Sequence, residues 1–317
     1  MKLDPSSIVA GEYLFLGLIL FTVPDLFLNP VDGYFKALSG VCKTALESNH
    51  LDPITEITTN MIGACFLTLA ASLLAADNPM KKNDVLRTCL YFHVFLTLVC
   101  GHAVFQAADN PYLNLPVIGV ATGHSFVYML WFLVESLNEA ATDKMERTPA
   151  SWPRIAYLVF ILLALAPVNV LNLMDPHYAD PGHAMAFWLQ TTLPDNTMDD
   201  LAIFHTRALG AVCMAFVCST LEALAFDRSV ERLRWFSLCG FSGNALYLVV
   251  SVRAALDSTG YALNEAWAMQ SIVIAVFLLI QLPDVLWYWD AEVPKKSGAH
   301  MGAVPGLVMV EDKKKVN

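Results

Sequence analysis

The sequence predicts an all-α polytopic membrane protein of about eight transmembrane helices, arranged as two parallel four-helix repeats. Of its 317 residues, 56% are hydrophobic and only 15% are charged, whereas soluble proteins carry about 25% charged residues. The charges cluster between apolar runs that come close to the roughly 20 residues needed to cross a bilayer. A helical hairpin in the first half also returns in the second half. We therefore expect membrane lipids, and proteins inside the bilayer, as partners, and the composition gives no indication of nucleic-acid binding.

Proline and capping residues mark where several spans begin. Pro53 follows Asp52, with Glu56 three positions further on, and Pro153 follows Ser151. Both patterns are typical of helix N-termini. The segment before the first apolar run is too acidic for a usual signal peptide, so we expect this run to be retained as a span. The predicted spans are 12–29, 57–76, 85–107, 114–137, 155–174, 201–224, 233–255 and 267–289.

The hairpin at 58–108 returns at 205–255 with a constant offset of 147 residues. Matched positions are mainly small residues, and both copies carry basic residues at the turn. A shared P-x-x-x-L-N pattern, at 24–29 and 167–172, extends the match with an offset of 143. Each unit holds an even number of spans, which makes the units parallel. The predicted domains are a first four-helix unit at 1–140, a cytosolic linker at 141–153, a second four-helix unit at 154–290 and a basic cytosolic tail at 291–317.

Lysine and arginine lie almost entirely in alternate loops, which orients the chain. The positive-inside rule places both termini in the cytosol, together with the loops after spans two, four and six. Lys314 and Lys315 stand near the C-terminus at the positions of a dilysine signal, which returns membrane proteins to the endoplasmic reticulum. The alternative is a basic tail that contacts anionic lipid headgroups.

Three histidines in apolar spans are candidate ligand-binding residues, because ionisable groups inside a membrane are costly. His93 and His102 are nine residues apart, about 180° round one helix, and so cannot share a pocket. His124 pairs best with His102, because Gly101 and Gly123 would let a flat macrocycle approach. Two such imidazoles could bind haem b. The alternative is that each histidine hydrogen-bonds to a neighbouring helix.

A second group of candidate ligand-binding residues, His205 and Arg207, lies near the acidic side of span six. His205 and Arg207 occupy the first turns of that span, where Arg207 could bind an anionic headgroup or a carboxylate. The alternative is a structural ion pair, or a side chain that reaches the interface. In span seven Asn244 is a further candidate ligand-binding residue, and the alternative is a hydrogen bond across helices, as polar amides in membranes usually make.

Catalytic and metal motifs are missing from the sequence. The loop at 175–183 contains two aspartates and two histidines, but Asp-Pro turns account for the aspartates, and we expect no metal. There is also no GxSxG, HExxH or Walker motif. The sequence therefore favours a protein that is not an enzyme.

The four-helix units, each with a polar break after its first helix, resemble in architecture the sterol-isomerase and sigma-2-receptor superfamily (the EXPERA domain). A looser resemblance is to small DoxX-type membrane proteins. The first resemblance implies a sterol-sized pocket among the helices. Span 57–76 has no carboxylate facing such a pocket, although the superfamily places acidic residues in its helices, so no site residue is carried over.

The sequence thus favours a lipid- or apolar-ligand-binding protein, or a structural partner protein, of an internal membrane. We expect its ligand in the cleft between the two units. The alternatives are a membrane enzyme on an apolar substrate, either sterol-isomerase-like or a bis-histidine haem redox protein, and a small-solute transporter.

Overall fold

The computed structural model describes residues 5–24, 53–107, 115–142, 148–176, 200–256 and 264–286, and these residues are almost entirely helical. Over these ranges the chain forms eight α-helices, as predicted. They are α1 (Pro5–Thr22), α2 (Pro53–Ala75), α3 (Pro79–Ala107), α4 (Leu115–Thr142), α5 (Trp152–Met174), α6 (Asp200–Phe226), α7 (Val230–Leu256) and α8 (Asn264–Val285).

Six of the described helices, α2 to α7, are long and apolar enough to cross a bilayer. This is the composition of a multi-pass, membrane-embedded protein. The apolar parts of α1 and α8, Ser6–Thr22 and Trp267–Pro283, are shorter. Over the described residues the structure thus has eight helices, of which six have the length and composition of a full span, and the count of eight spans stays a prediction.

The first helix begins and ends earlier than predicted. We expected a span at 12–29, but α1 occupies Pro5–Thr22. Apolar residues before Glu12 extend the helix towards the N-terminus, and Glu12 itself is accommodated because side chains of α4 contact it. At the other end Pro24 lacks the N–H that a continuing helix needs. Helices α3 and α4 are also longer than predicted, because the polar segments 79–84 and 138–142 are part of these helices.

The helices form an inner group of four and an outer group of four. Helices α2, α3, α6 and α7 pack against one another, while α1 packs on α2, α4 on α3, α5 on α6 and α8 on α7. In α2, 78% of the most apolar window is buried inside the protein, against 17% in α4 and 22% in α5. Large apolar side chains of α4 and α5 therefore point outwards, as expected where lipid replaces protein as the neighbour.

Two glycines allow the closest helix contacts. A Cβ atom at Gly63 would lie within 3 Å of backbone atoms of Leu20 in α1, and one at Gly210 would lie within 3 Å of the Leu173 backbone in α5. Small residues allow this approach of backbones in membranes. Through these contacts, residues 20–21 of the first half correspond to residues 172–173 of the second half. Their offset is 152 residues, which differs from the offset of 143 in the P-x-x-x-L-N pattern.

One apolar core joins the two halves of the chain. It takes buried residues from α1 to α4 and from α6 to α8. Where α2, α3, α6 and α7 meet, the cavity that remains has a volume of about 10 Å³, which is room for about one water molecule. The space between the two units is filled at this place, whereas at one end of the bundle α3, α4, α6 and α7 leave a larger pocket between the units.

Candidate functional site

The first group of polar residues lies at mid-depth in the bundle. His93 is 14 residues from either end of α3, or about 21 Å along the helix. Tyr128 occupies the middle of α4 in the same way. Polar side chains at this depth are a candidate site, because charged or hydrogen-bonding groups in hydrocarbon are costly unless they serve a purpose.

Glu12 of α1 is the carboxylate of this group. The Tyr128 hydroxyl donates a short hydrogen bond to its Oε2 atom, and Nε2 of His124 lies 3.3 Å from its Oε1 atom. The Glu12 side chain is 31% exposed and that of His124 51% exposed. The pair therefore lies on the outer surface of the bundle, where α1 meets α4, and not in its core.

The surface beside this pair has little side-chain cover. Gly11 precedes Glu12 and Gly123 precedes His124, and a Cβ atom at either glycine would have no neighbouring atom within 4 Å. Gly119, one helical turn before Gly123, is equally open. A ligand could thus approach the backbone of α1 and α4 closely next to the carboxylate and the imidazole.

His93 lies deeper, and protein groups occupy both of its ring nitrogens. The Tyr13 hydroxyl is 2.6 Å from Nε2, and Ser125 Oγ is 3.0 Å from Nδ1. Because Ser125 donates to the His93 carbonyl, its oxygen accepts from Nδ1–H, and Nε2 accepts from Tyr13. Phe132 stacks on the imidazole at a centroid distance of 5.4 Å. His93, one of the three histidines predicted as ligand-binding residues, is thus buried and hydrogen-bonds to residues of both α1 and α4.

The predicted haem ligands are His102 and His124, and His102 contacts a residue of another helix. Its Nδ1 atom lies 3.2 Å from Nη1 of Arg207, which can only donate, so the proton of a neutral imidazole is on Nε2. His124 directs its own Nε2 at Glu12. His102 and His124 thus have different neighbours in the protein, and haem b stays a prediction that an absorption spectrum of the purified protein tests.

The predicted group in span six lies at the end of the bundle where α2 and α6 begin. His205 is buried, and its Nδ1 atom lies 2.6 Å from Thr59 Oγ1. Arg207 lies between His102 and the carboxylate of Asp175, which attracts it electrostatically. His102 and Asp175 are thus neighbours of Arg207 in the protein. Binding of an anionic ligand by Arg207 stays a prediction.

Asn244 contacts a neighbouring helix. Its amide donates to Gln281 Oε1 at 3.1 Å, which joins α7 to α8. Gln281 is 3% exposed, and the pair is neutral. This is the cross-helix amide contact expected as the alternative to ligand binding.

A second group of charged residues lies at the opposite end, where α3 and α7 begin; we call it the basic end. Arg232 Nη2 lies 2.7 Å from Asp84 Oδ1, and the two side chains are 8% and 2% exposed. Arg87 forms an ion pair with Glu222, whose other oxygen accepts from Tyr91 at 2.9 Å. These residues line a pocket of about 550 Å³ between α3, α4, α6 and α7.

The surface of the basic end carries further ion pairs. Lys82 Nζ lies 2.7 Å from Glu139 of α4. Lys81 contacts Asp77 at 2.9 Å, and this hydrogen bond lowers the pKa of the Asp77 carboxyl from its ordinary value of 3.8. Two backbone hydrogen bonds at 148–150 and 228–230 also pair the segment before α5 with the turn before α7.

Sequence reasoning missed Glu12, Asp84 and Arg232 as members of these groups. The sequence analysis groups Glu12 with the acidic segment before the first apolar run, whereas the structure places it inside a helix that begins at Pro5. The loop at 177–183 and the tail with Lys314 and Lys315 lie outside the described residues. Among the residues that the structure does describe, no three potential metal ligands lie together.

Comparison with protein-family models, with curated proteins and with solved structures gives no match for this chain. A function for this chain is therefore inferred from the two polar groups themselves.

Proposed function

We propose that this multi-pass membrane protein binds an apolar lipid that carries one polar group, and that the ligand enters from the bilayer between α1 and α4. The observation that carries the proposal is the Glu12–His124 pair, which is exposed at mid-depth on the outer surface of the bundle. A carboxylate and an imidazole there have no water to solvate them, so a hydroxyl or amine on a lipid would find hydrogen-bond partners that hydrocarbon cannot offer.

The neighbouring contacts support a preformed site. Tyr128 fixes the Glu12 carboxylate through its hydroxyl, and its ring lies 4.4 Å from that of His124. Gly11 and Gly123 leave room beside the two side chains. The site thus offers two hydrogen-bonding groups at a fixed position and an open apolar surface around them, as ligand sites generally do.

Photo-crosslinking tests the proposal. Purified protein is reconstituted in lipid with a diazirine-labelled sterol or a diazirine-labelled fatty alcohol, irradiated and mapped by mass spectrometry. We expect label on peptides of α1 and α4, and a decrease of about tenfold in saturable labelling for Glu12→Gln, because a charged hydrogen-bond acceptor is lost. Glu135→Gln, which alters another carboxylate of α4, is the matched control and should label as the unchanged protein does. Equal labelling of all three proteins would show that Glu12 takes no part.

We also propose that the basic end faces the cytosol, together with both termini. The positive-inside rule supports this orientation, and so does the position of Lys81, Lys82, Arg87 and Arg232 at one end of the bundle. Protease protection of terminal tags in intact membrane vesicles tests the orientation. Lys314→Ser with Lys315→Ser tests retention in the endoplasmic reticulum, since loss of a retrieval signal would move the protein to later compartments.

The two halves are proposed to be parallel repeats of one four-helix unit. Corresponding helices pair in the same way, α1 with α2 as α5 with α6, and α3 with α4 as α7 with α8. Gly63 and Gly210, which the offset of 147 matches, are also the residues of closest approach in the two first pairs. We expect Gly63→Leu to loosen the packing of α1 and Gly210→Leu to loosen the packing of α5. The accessibility of a cysteine placed in α1 or in α5 to a thiol reagent measures this change.

A further inference from the structure

Helix α6 carries a row of four residues along one face, which we call the α6 stripe. Arg207, Met214, Cys218 and Leu221 are separated by seven, four and three positions, and this spacing places them on one side of the helix. Leu221 is 49% exposed, and the other three side chains are partly exposed. Apart from Arg207 the stripe is apolar, so it presents one cation and an apolar surface on the same side of α6.

The α6 stripe is the floor of a groove between α3 and α5. Both helices pack on α6, and over the residues that the structure describes they have no extensive contact with each other. Gly210, about 60° from Arg207 on one side of the helix, lies directly against the backbone of Leu173 in α5. Glu222, about 60° from Arg207 on the other side, accepts a hydrogen bond from Tyr91 of α3. The stripe therefore lies between the two flanking helices.

Arg207 stands near one end of the groove, about 10 Å from the start of α6 at Asp200. Its Nη1 atom donates to Nδ1 of His102 at 3.2 Å. Among the described residues no carboxylate forms a salt bridge with Arg207, and Asp175 at the end of α5 attracts it only from a distance. The guanidinium charge thus has no anion in direct contact within this part of the chain.

A second arginine at the same end of the bundle differs in its partner. Arg253 Nη2 lies 3.1 Å from Glu56 Oε1, and the Arg253 side chain is 54% exposed. Arg207 is less exposed and donates to a ring nitrogen instead. A guanidinium near the end of a membrane span is stabilised when it reaches the lipid phosphates, and its paired donors match phosphate oxygens. A phosphate group is therefore the anion that best fits Arg207, and the exposed His102 ring offers a further donor beside it.

The apolar part of the α6 stripe fits an acyl chain. From Arg207 to Leu221 the helix rises about 21 Å, which is about two thirds of the roughly 30 Å thickness of the hydrocarbon core. Leu98, on the same face of α3 as His102, is 65% exposed and adds to the apolar surface. The groove thus joins a cationic end to an apolar floor, in the order in which a phospholipid joins its phosphate to its acyl chains.

We propose that this groove binds an anionic phospholipid, with its phosphate at Arg207 and His102 and an acyl chain along Met214, Cys218 and Leu221. A headgroup with net negative charge is favoured, because a zwitterionic headgroup brings a cation that Arg207 repels. The site shares no residue with the Glu12 site, whose proposed ligand carries a hydroxyl or an amine.

Lipid retention tests the proposal. The purified protein is equilibrated in detergent with equal amounts of phosphatidylglycerol and phosphatidylcholine and delipidated stepwise, and native mass spectrometry identifies the lipids that remain. We expect phosphatidylglycerol to be retained preferentially, and this preference to fall about tenfold in Arg207→Gln, because charged hydrogen bonds are lost. Arg253→Gln, which alters the ion-paired arginine at the same end, is the matched control and should retain lipid as the unchanged protein does.

A second variant and a labelled lipid locate the binding. Arg207→Lys keeps the charge but not the paired donors, so its preference should lie between those of Arg207→Gln and the unchanged protein. Phosphatidylglycerol with a diazirine in its acyl chain should label α6 within 214–221. The proposal is overturned if phosphatidylglycerol is not preferred, if Arg207→Gln and Arg253→Gln retain it equally, or if the label lies outside α3, α5 and α6. Labelling at Glu12 by the neutral probes does not depend on these results, so the two proposals succeed or fail separately.

Discussion

Helix α7 carries an arginine–carboxylate pair near each end, and the two pairs differ in their surroundings. Near its start, Arg232 and Asp84 are 8% and 2% exposed and lie 2.7 Å apart. In its last turn, Arg253 and Glu56 are 54% and 30% exposed and lie 3.1 Å apart. The same chemical pair is thus buried in a network at the basic end and largely hydrated at the opposite end.

The difference shows which end of the bundle depends on charge. Arg253 is favoured where it stands, because a cation at a helix C-terminus interacts well with the helix dipole. Arg232 lies in the first turn of α7, where a cation is unfavourable, and its carboxylate neighbours from α3 and α6 offset that cost. We infer that the basic end is held by a specific ionic network and that the opposite end is held mainly by packing.

The largest effect is expected for Arg232→Met. The substitution keeps much of the apolar volume but leaves the buried Asp84 carboxylate without its arginine, so the free energy of unfolding should fall by about 3–5 kcal/mol. Unfolding in mixed micelles of dodecyl maltoside and sodium dodecyl sulfate measures this change. A loss below about 1 kcal/mol would show that the network is no stronger than a surface pair.

An intermediate effect is expected for Tyr91→Phe. The variant removes only the hydroxyl that donates to Glu222 and leaves the ring in place, so the free energy of unfolding should fall by about 1.5 kcal/mol. The same micelle titration measures it. Phe226→Ala, at an exposed position, is the comparison and should change stability little.

The smallest effect is expected for Arg253→Met. An exposed pair of this kind contributes up to about 1 kcal/mol, and salt should weaken that contribution further. Stability of the unchanged protein and of Arg253→Met should therefore converge as sodium chloride is raised, while the Arg232→Met difference should persist. If both differences disappeared in salt, the contrast between the two ends of α7 would not hold.

The helices could be predicted from the sequence because they depend on local properties. Apolar runs of about 20 residues, proline positions and charge clusters identify the eight helices to within a few residues for most boundaries. A cross-helix hydrogen bond of Asn244 also followed from a general rule, since an amide inside a membrane needs a partner on a neighbouring helix, although the sequence did not identify Gln281 as that partner.

The polar groups could not be predicted because they depend on how each helix is rotated. Arg232 and Asp84 are 148 residues apart, and only the packing of α7 against α3 brings them together. Glu12 meets His124 for the same kind of reason, through contacts of α1 and α4 that hydropathy does not encode. His102 and His124 looked alike in sequence, yet one lies beside Arg207 and the other beside Glu12.

The partnership of Glu12 with Tyr128 also constrains how the chain is made. The two residues are 116 positions apart, and ribosomes add about 5–20 residues per second, so roughly 6–23 seconds pass between their synthesis. Throughout that interval α1 carries a carboxylate whose eventual partner has not yet left the ribosome. We therefore expect the newborn helix to stay in contact with water or with other protein until α4 is synthesised, because an unpaired carboxylate in hydrocarbon is costly.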